Sequence, residues 1–140
     1  MKAFAFDSRR LLMGRLERGD DLVEALTRFC AQHGVQAGCL SGLGALEQAE
    51  LGYYDQAEGR YRTRALRGGL EIASLLGNVS LKRGAPFVHA HLVLADGQQA
   101  CFGGHAMPGC RVFACEFAVW AVEGEVLERR PDAATGLDLW

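Results

Sequence analysis

The chain has 140 residues, of which 49% are hydrophobic and 23% are charged, and its formal net charge is −2. These values predict a single globular domain over residues 1–140 and exclude a strong global attraction to nucleic acid or to an anionic membrane. Charged residues interrupt the N-terminal segment, and no apolar run reaches the roughly 18 residues of a membrane span. We therefore expect a cytoplasmic protein with no membrane-spanning segment.

The chain contains five cysteines, an odd number, and no two of them form a CxxC pair. We expect reduced, buried thiols and no disulfide framework. The five are Cys30, Cys39, Cys101, Cys110 and Cys115.

One segment, 20–33, has a clear helical period, because its apolar residues recur about one turn apart. Asp20 or Asp21 is suited to cap the N-terminus of this helix, and Gly34 is suited to end it. His33 lies at the C-terminal end, where we expect it to face the helix dipole and to take no part in a site.

Most other segments have the composition of β-strands, separated by turn residues such as Asp96-Gly97. The expected strands are 2–7, 11–16, 38–46, 49–55, 61–66, 70–82, 86–95, 99–102 and 111–122, with short edges at 126–129 and 137–140. One helix with eight or more strands, mostly joined by hairpins, predicts a compact α+β fold built on a mainly antiparallel β-sheet.

Two histidines, His89 and His91, alternate within the apolar, strand-like segment 87–94. Alternate side chains of a strand lie on one face, so both imidazoles can approach a single ion. His105 follows two glycines, which we expect to form a flexible loop that supplies a third imidazole. Three histidines with one open coordination position are typical of a zinc site that binds an exchangeable ligand. The sequence thus predicts Zn²⁺ or another divalent transition metal at these histidines.

The histidine pattern also has a simpler interpretation. A histidine pair on a strand face can serve only to hydrogen-bond across the sheet or to titrate in solvent, and short motifs often occur by chance. Cys101 lies four residues before His105 and could act as a fourth ligand, although a buried thiol is the commoner role.

Glu116 interrupts the long apolar run 112–120. A carboxylate buried there is costly unless it is paired or hydrogen-bonded. It is a candidate general base or second-sphere group for the histidine site, where a metal-activated water would suit hydrolysis or a lyase step. The alternative is an ion pair with a buried arginine such as Arg111 or Arg64.

Arg60, Arg62 and Arg64 alternate with uncharged residues, so one strand face carries three guanidinium groups, and Arg67 follows closely. Such a row is a candidate site for DNA phosphates or for another anion. A solvated edge strand protected by charge is the more common meaning of this pattern.

Taken together, these segments resemble the plant- and prokaryote-conserved (PPC) domain, which in plants accompanies AT-hook motifs. The resemblance runs along nearly the whole chain. It is carried by Gly19-Asp20-Asp21-Leu22, Ser41-Gly42-Leu43-Gly44-Ala45-Leu46, the segment 71–79, His89-Ala90-His91, Gly103-Gly104-His105 and Ala114-Cys115-Glu116. No Arg-Gly-Arg-Pro hook core is present.

The resemblance implies a homotrimer with a compact α+β fold, and in some prokaryotic relatives a metal held by histidines that match His89, His91 and His105. It also implies a DNA-associated role in plant members, which the missing hook and the net charge disfavour here. The leading expectation is a cytoplasmic, homotrimeric metal-binding protein whose metal takes a small ligand. The alternatives are a DNA-associated regulator and a metal-dependent hydrolase or lyase.

Overall fold

A computed structural model describes residues 2–140, and its fold is one helix set against a sheet of eight strands. The elements are β1 (Phe6–Leu16), α1 (Leu22–Gln32), β2 (Gly38–Asp55), β3 (Arg60–Lys82), β4 (Ala85–Ala95), β5 (Cys101–Ala106), β6 (Arg111–Gly124), β7 (Glu128–Pro131) and β8 (Asp138–Leu139). Every strand pairing is antiparallel except that of β3 with β7. The predicted α+β class with a mainly antiparallel sheet is confirmed.

The strand order is β1-β6-β2-β5-β4-β3-β7-β8, with an additional pairing between β2 and β3. That extra pairing closes β2, β5, β4 and β3 into a small barrel. The second half of β2 contacts β5 through the pairs Leu51–Ala106 and Gly52–His105. Strand β5, which carries the third histidine, therefore lies between β2 and β4 within this barrel.

Two strands are longer than the sequence predicts. The expected strands 38–46 and 49–55 form one continuous β2, and 61–66 and 70–82 form one continuous β3. Irregularities in the β2–β3 register, between Gly42 and Gly44 and between Leu46 and Gln48, let a long strand bend without ending.

Helix α1 begins and ends close to the predicted positions. The Asp21 carboxylate accepts a hydrogen bond from the Glu24 amide as N-cap, and Gly34 follows with a φ of 64°. The buried stripe of the helix faces the core, and the Phe29 ring packs edge-on against Phe117 of β6 at 4.8 Å. At 11 residues, α1 is too short to cross a membrane, and it is the one helix among residues 2–140.

The two faces of the sheet differ. Alternate residues of β2, β3, β4 and β6 face the helix and form the core, among them Leu40, Leu75, Leu92 and Val119. The residues between them lie on the opposite face, which we call the outer face. The outer face carries the histidines and, beside them, several exposed apolar side chains.

Candidate metal centre

The three predicted histidines lie together on the outer face. His89 and His91 occupy alternate positions of β4, and the intervening Ala90 is buried in the core. His91 is the direct cross-strand neighbour of His105 on β5. The alternation of β4 and the register of the β4–β5 pair thus bring three imidazoles to one place.

The histidine geometry suits a single small ion. One ring nitrogen from each of His89, His91 and His105 lies within 4.8 Å of the others. The ring centroids are separated by 5.2 Å (His89–His91), 4.9 Å (His89–His105) and 5.4 Å (His91–His105). Among residues 2–140 the metal-competent cluster consists of these three side chains alone, so Cys101 does not join it.

The expected flexible loop before His105 is wrong, because Gly103 and Gly104 lie within β5. A Cβ on Gly104 would stand 2.9 Å from the Gly52 carbonyl oxygen and 3.2 Å from the Leu51 Cβ. Glycine is therefore required for the close approach of β5 to β2. The third imidazole is held by strand pairing and has no hinge.

The environment favours neutral imidazoles. Burial, followed by the charges of His105, Arg129 and His91, lowers the pKa of His89 to about 4. Burial, followed by the charges of His91 and Arg129, also lowers the pKa of His105. Neutral rings keep the lone pair that a metal needs. Within the described chain, Nδ1 of His105 is buried and has no hydrogen-bond partner, which is the expected state of a ligand atom.

Arg129 of β7 borders the cluster and is only 6% exposed. Its Nε donates to Ser80 Oγ (2.8 Å), and its two terminal nitrogens donate to Asn78 Oδ1 (2.9 Å) and to the Asp138 carbonyl oxygen (3.0 Å). The nitrogen bonded to Asn78 also lies 3.4 Å from His89 Nδ1. A fixed positive charge therefore touches the histidine trio.

A cavity of about 160 Å³ opens beside His89 and His105. Its other lining residues are Tyr61, Lys82, Phe87, Arg129, Leu137, Asp138 and Leu139. The C-terminal segment covers it, since Tyr54 donates a hydrogen bond to the Thr135 carbonyl oxygen and Lys82 pairs with Asp138 at 2.6 Å. The site thus has a small, partly open cavity next to two of its histidines.

Glu116 lies apart from the histidines. It is exposed on the outer face of β6, its neighbours in register are Arg15 and Leu43, and it lines a different cavity. The expected burial of Glu116 is therefore wrong. The expected ion pair with Arg111 or Arg64 is also absent from residues 2–140, where Arg111 pairs with Glu47 and the Arg64 guanidinium lies over the Phe102 ring.

The arginine row on β3 is already engaged with partners. Arg60 pairs with Glu58 at 2.6 Å, and Arg62 pairs with both Asp55 (2.8 Å) and Glu58 (2.6 Å). Arg64 stacks on Phe102 as described, and Arg67 donates to Gln48. Local acids therefore neutralise part of this row.

The cysteines divide into two groups. Cys30, Cys110 and Cys115 are buried, and burial raises the pKa of each thiol to about 11. Cys39 and Cys101 are exposed, so the expectation that all five are buried is wrong for these two. Both lie at outward-facing strand positions.

Sequence reasoning missed Arg129, Tyr61 and Asn78. The Tyr61 ring lies 5.3 Å from the His105 ring, and Asn78 is the cross-strand neighbour of His89. The alternation of side chains along the strand that contains Asn78 is a signal that could have placed Asn78 on the same face of the sheet as the histidines. No sequence pattern distinguishes Arg129 from the exposed Arg130 beside it.

The comparisons with known proteins identify the family. A sequence profile of the Plants and Prokaryotes Conserved (PCC) domain matches residues 4–123. The chain belongs to this family, and the resemblance inferred from its motifs is confirmed.

Solved structures support the same assignment. The metal-containing protein AF0104 from Archaeoglobus fulgidus is 42% identical, with a TM-score of 0.94 over 100% of this chain and 99% of that one. A PPC protein from Pyrococcus horikoshii is 36% identical, with a TM-score of 0.95 over 100% and 96% of the two chains. A protein from Ralstonia eutropha JMP134, described as a candidate DNA-binding protein, is 25% identical, with a TM-score of 0.81 over 91% and 88%.

A curated relative is much longer than this chain. The bifunctional protein GlmU from Synechococcus sp. (strain JA-3-3Ab) is 40% identical over 131 residues, which are 92% of this chain. The chain spans about a fifth of that protein's length, as the matched share is 20%.

Proposed function

We propose that this protein is a homotrimeric metal-binding member of the family. In this proposal His89, His91 and His105 hold one divalent transition-metal ion per chain, and that ion is zinc. The observation that carries the proposal is the convergence of three ring nitrogens within 4.8 Å. The fit to a metal is supported by the lone buried Nδ1 of His105 and by the lowered pKa values of His89 and His105. The metal-containing relative from A. fulgidus agrees with it.

Three imidazoles leave a coordination position for a small exchangeable ligand. A divalent ion in this site supplies Lewis acidity toward that ligand, which is the chemistry that a hydrolase or lyase would use. Glu116 is not part of this proposal, because it lines a separate cavity.

Self-association is supported by an apolar band on the outer face. One row of cross-strand neighbours runs from Met13 through Ala118, Ser41 and Leu76 to His91. Met13 is 76% exposed and Leu76 is 62% exposed. Exposed apolar patches of this kind mark interaction surfaces, and the family resemblance implies that the copies covering this one form a trimer.

The test is elemental analysis of protein purified without an affinity tag, together with a zinc titration of the metal-free form. The expected result is one ion per chain in the wild type and loss of stoichiometric zinc in His89→Ala. His33→Ala is the matched control, because His33 caps α1 outside the cluster. Metal-free protein that takes up no zinc at neutral pH would refute the proposal.

A further inference from the structure

The cavity beside the histidines contains a buried positive charge that forms no direct ion pair with a carboxylate. Arg129 is buried, and within residues 2–140 its hydrogen-bond partners are a hydroxyl, a side-chain amide, a main-chain carbonyl and the His89 ring nitrogen, none of them a carboxylate. The one carboxylate in the cavity lining, that of Asp138, pairs with Lys82 at 2.6 Å and attracts Arg129 without a direct hydrogen bond from its carboxylate oxygens. A buried cation without a carboxylate partner is costly, so the fold retains an unmet demand for negative charge.

The guanidinium is held rigidly and still has donors available. Three of its five N–H groups donate to oxygen atoms, and its central carbon lies over the Phe87 ring (5.3 Å to the centroid) and over the Trp140 ring (4.4 Å). One terminal nitrogen lies 3.4 Å from His89 Nδ1. A group that binds beside His89 would therefore meet a pre-oriented donor.

A bound metal ion would further favour a negatively charged ligand at this site. A divalent ion held by three neutral imidazoles keeps its full charge, and Arg129 adds another positive charge against His89. Because the cluster contains no carboxylate ligand, an anionic oxygen from outside the protein is the group that best balances both.

The shape and lining of the cavity narrow the class of anion. Its volume of about 160 Å³ corresponds to roughly five water molecules. Phe87, Leu137 and Leu139 supply apolar surface to the lining, and polar groups come from Arg129, His89 and His105 together with Tyr61, Lys82 and Asp138. A fully polar ion such as phosphate does not match the apolar part of the lining, whereas a carboxylate with a short hydrocarbon chain matches both the apolar and the cationic groups.

From these observations we propose that the ligand of the metal centre is a short-chain carboxylate, and that Arg129 binds its carboxylate group beside the metal while Phe87, Leu137 and Leu139 contact its hydrocarbon chain. This inference rests on the proposed metal site. Arg129 is the residue that selects an anion over a neutral ligand of the same shape.

The experiment is calorimetric titration of zinc-loaded, tag-free protein with propionate, with its neutral isostere propionamide and with inorganic phosphate. Propionate is expected to bind with measurable heat, and propionamide and phosphate are expected to bind at least about tenfold more weakly. This comparison uses the wild type alone, so it does not depend on whether a variant folds.

Arg129→Gln is expected to weaken propionate binding at least about tenfold while one zinc per chain is retained. Arg130→Gln is the matched control, because Arg130 is exposed on the same strand and lies outside the cavity lining. Zinc-loaded wild type that does not bind propionate, that binds propionamide equally, or that prefers phosphate would overturn the inference. So would an Arg129→Gln variant of unchanged affinity. Each of those outcomes leaves the metal site standing, whereas wild type that takes up no zinc refutes the metal site itself.

Discussion

Leu76 on β3 is the direct cross-strand neighbour of His91 on β4, and both side chains are exposed on the outer face of the sheet. The apolar band that begins at Met13 therefore ends against a histidine of the candidate metal centre. In the proposed trimer, the metal centre would border the contact between subunits. Assembly and metal binding can thus be tested by substitutions on adjacent positions of one surface.

The first prediction concerns assembly. Wild-type protein should have a mass near three times the 15.2 kDa of the chain. Leu76→Glu should shift it toward monomer, since it removes up to about 2 kcal/mol of apolar burial per chain and adds a charge to the interface. Multi-angle light scattering at micromolar concentration measures this.

Val126→Glu is the control for the assembly experiment, because Val126 is at least as exposed as Leu76 but lies outside the band. It should leave the mass unchanged. A wild-type monomer at micromolar concentration would contradict the prediction.

The second prediction is that zinc affinity depends on the histidines and does not depend on Glu116. His105→Ala should weaken zinc binding by more than about 10–100-fold, the usual cost of losing even a second-sphere partner. Glu116→Gln should leave the zinc affinity unchanged, because Glu116 is exposed and lines another cavity. Competition with a chromophoric chelator gives both affinities. A large loss in Glu116→Gln would restore the role in the metal site that the sequence suggested.

The third prediction concerns pH and the metal-free protein. Burial is the main reason that the pKa of folded His89 falls from 6.5 to about 4, and the pKa of His105 is lowered for the same reason. Between those two pH values the unfolded chain binds more protons than the folded one, so the free energy of unfolding should decrease as the pH falls from 6.5 to 4. Urea unfolding at several pH values measures the slope.

His89→Gln removes the share of that proton difference that His89 contributes, and should make the slope between pH 6.5 and 4 shallower. In the wild type, the pH dependence that His89 gives to the free energy of unfolding should disappear above pH 6.5, where His89 is neutral in both the folded and the unfolded chain. A wild-type stability that is constant from pH 6.5 to 4 would contradict this prediction.

Local sequence patterns predicted the parts of the site that depend on neighbouring residues. The alternation of His89 and His91 within an apolar segment was enough to place both on one face, because strand period is a local property. The helix and its Asp21 cap were predictable for the same reason. Glu116 misled because its outward-facing neighbours on β6, such as Phe113 and Trp120, are apolar although exposed, so the segment looked like a buried run.

Long-range pairings determine the rest and could not be read from the chain. Arg129 bonds to Ser80 and Asn78, which are 49 and 51 residues away. The position of His105 depends on a close contact between β5 and β2 that needs glycine at 104, and two glycines in the sequence indicate a loop as readily as a tight contact. The position of Arg129 beside the histidines could therefore not be predicted from the sequence.

The last prediction concerns DNA. Nonspecific duplex binding requires the neutralisation of several phosphates, and its affinity falls steeply with salt. Here the net charge is −2, and Arg60 and Arg62 are already paired with Glu58 and Asp55, so a trimer would repeat a partly neutralised row on an acidic assembly. We expect negligible duplex binding at about 150 mM salt, and we expect any binding at low salt to disappear when Arg60, Arg62 and Arg64 are changed to alanine. A gel-shift titration measures both. Submicromolar, sequence-selective binding at that salt concentration would contradict the prediction and favour a DNA-associated regulator over a metal-dependent binding protein.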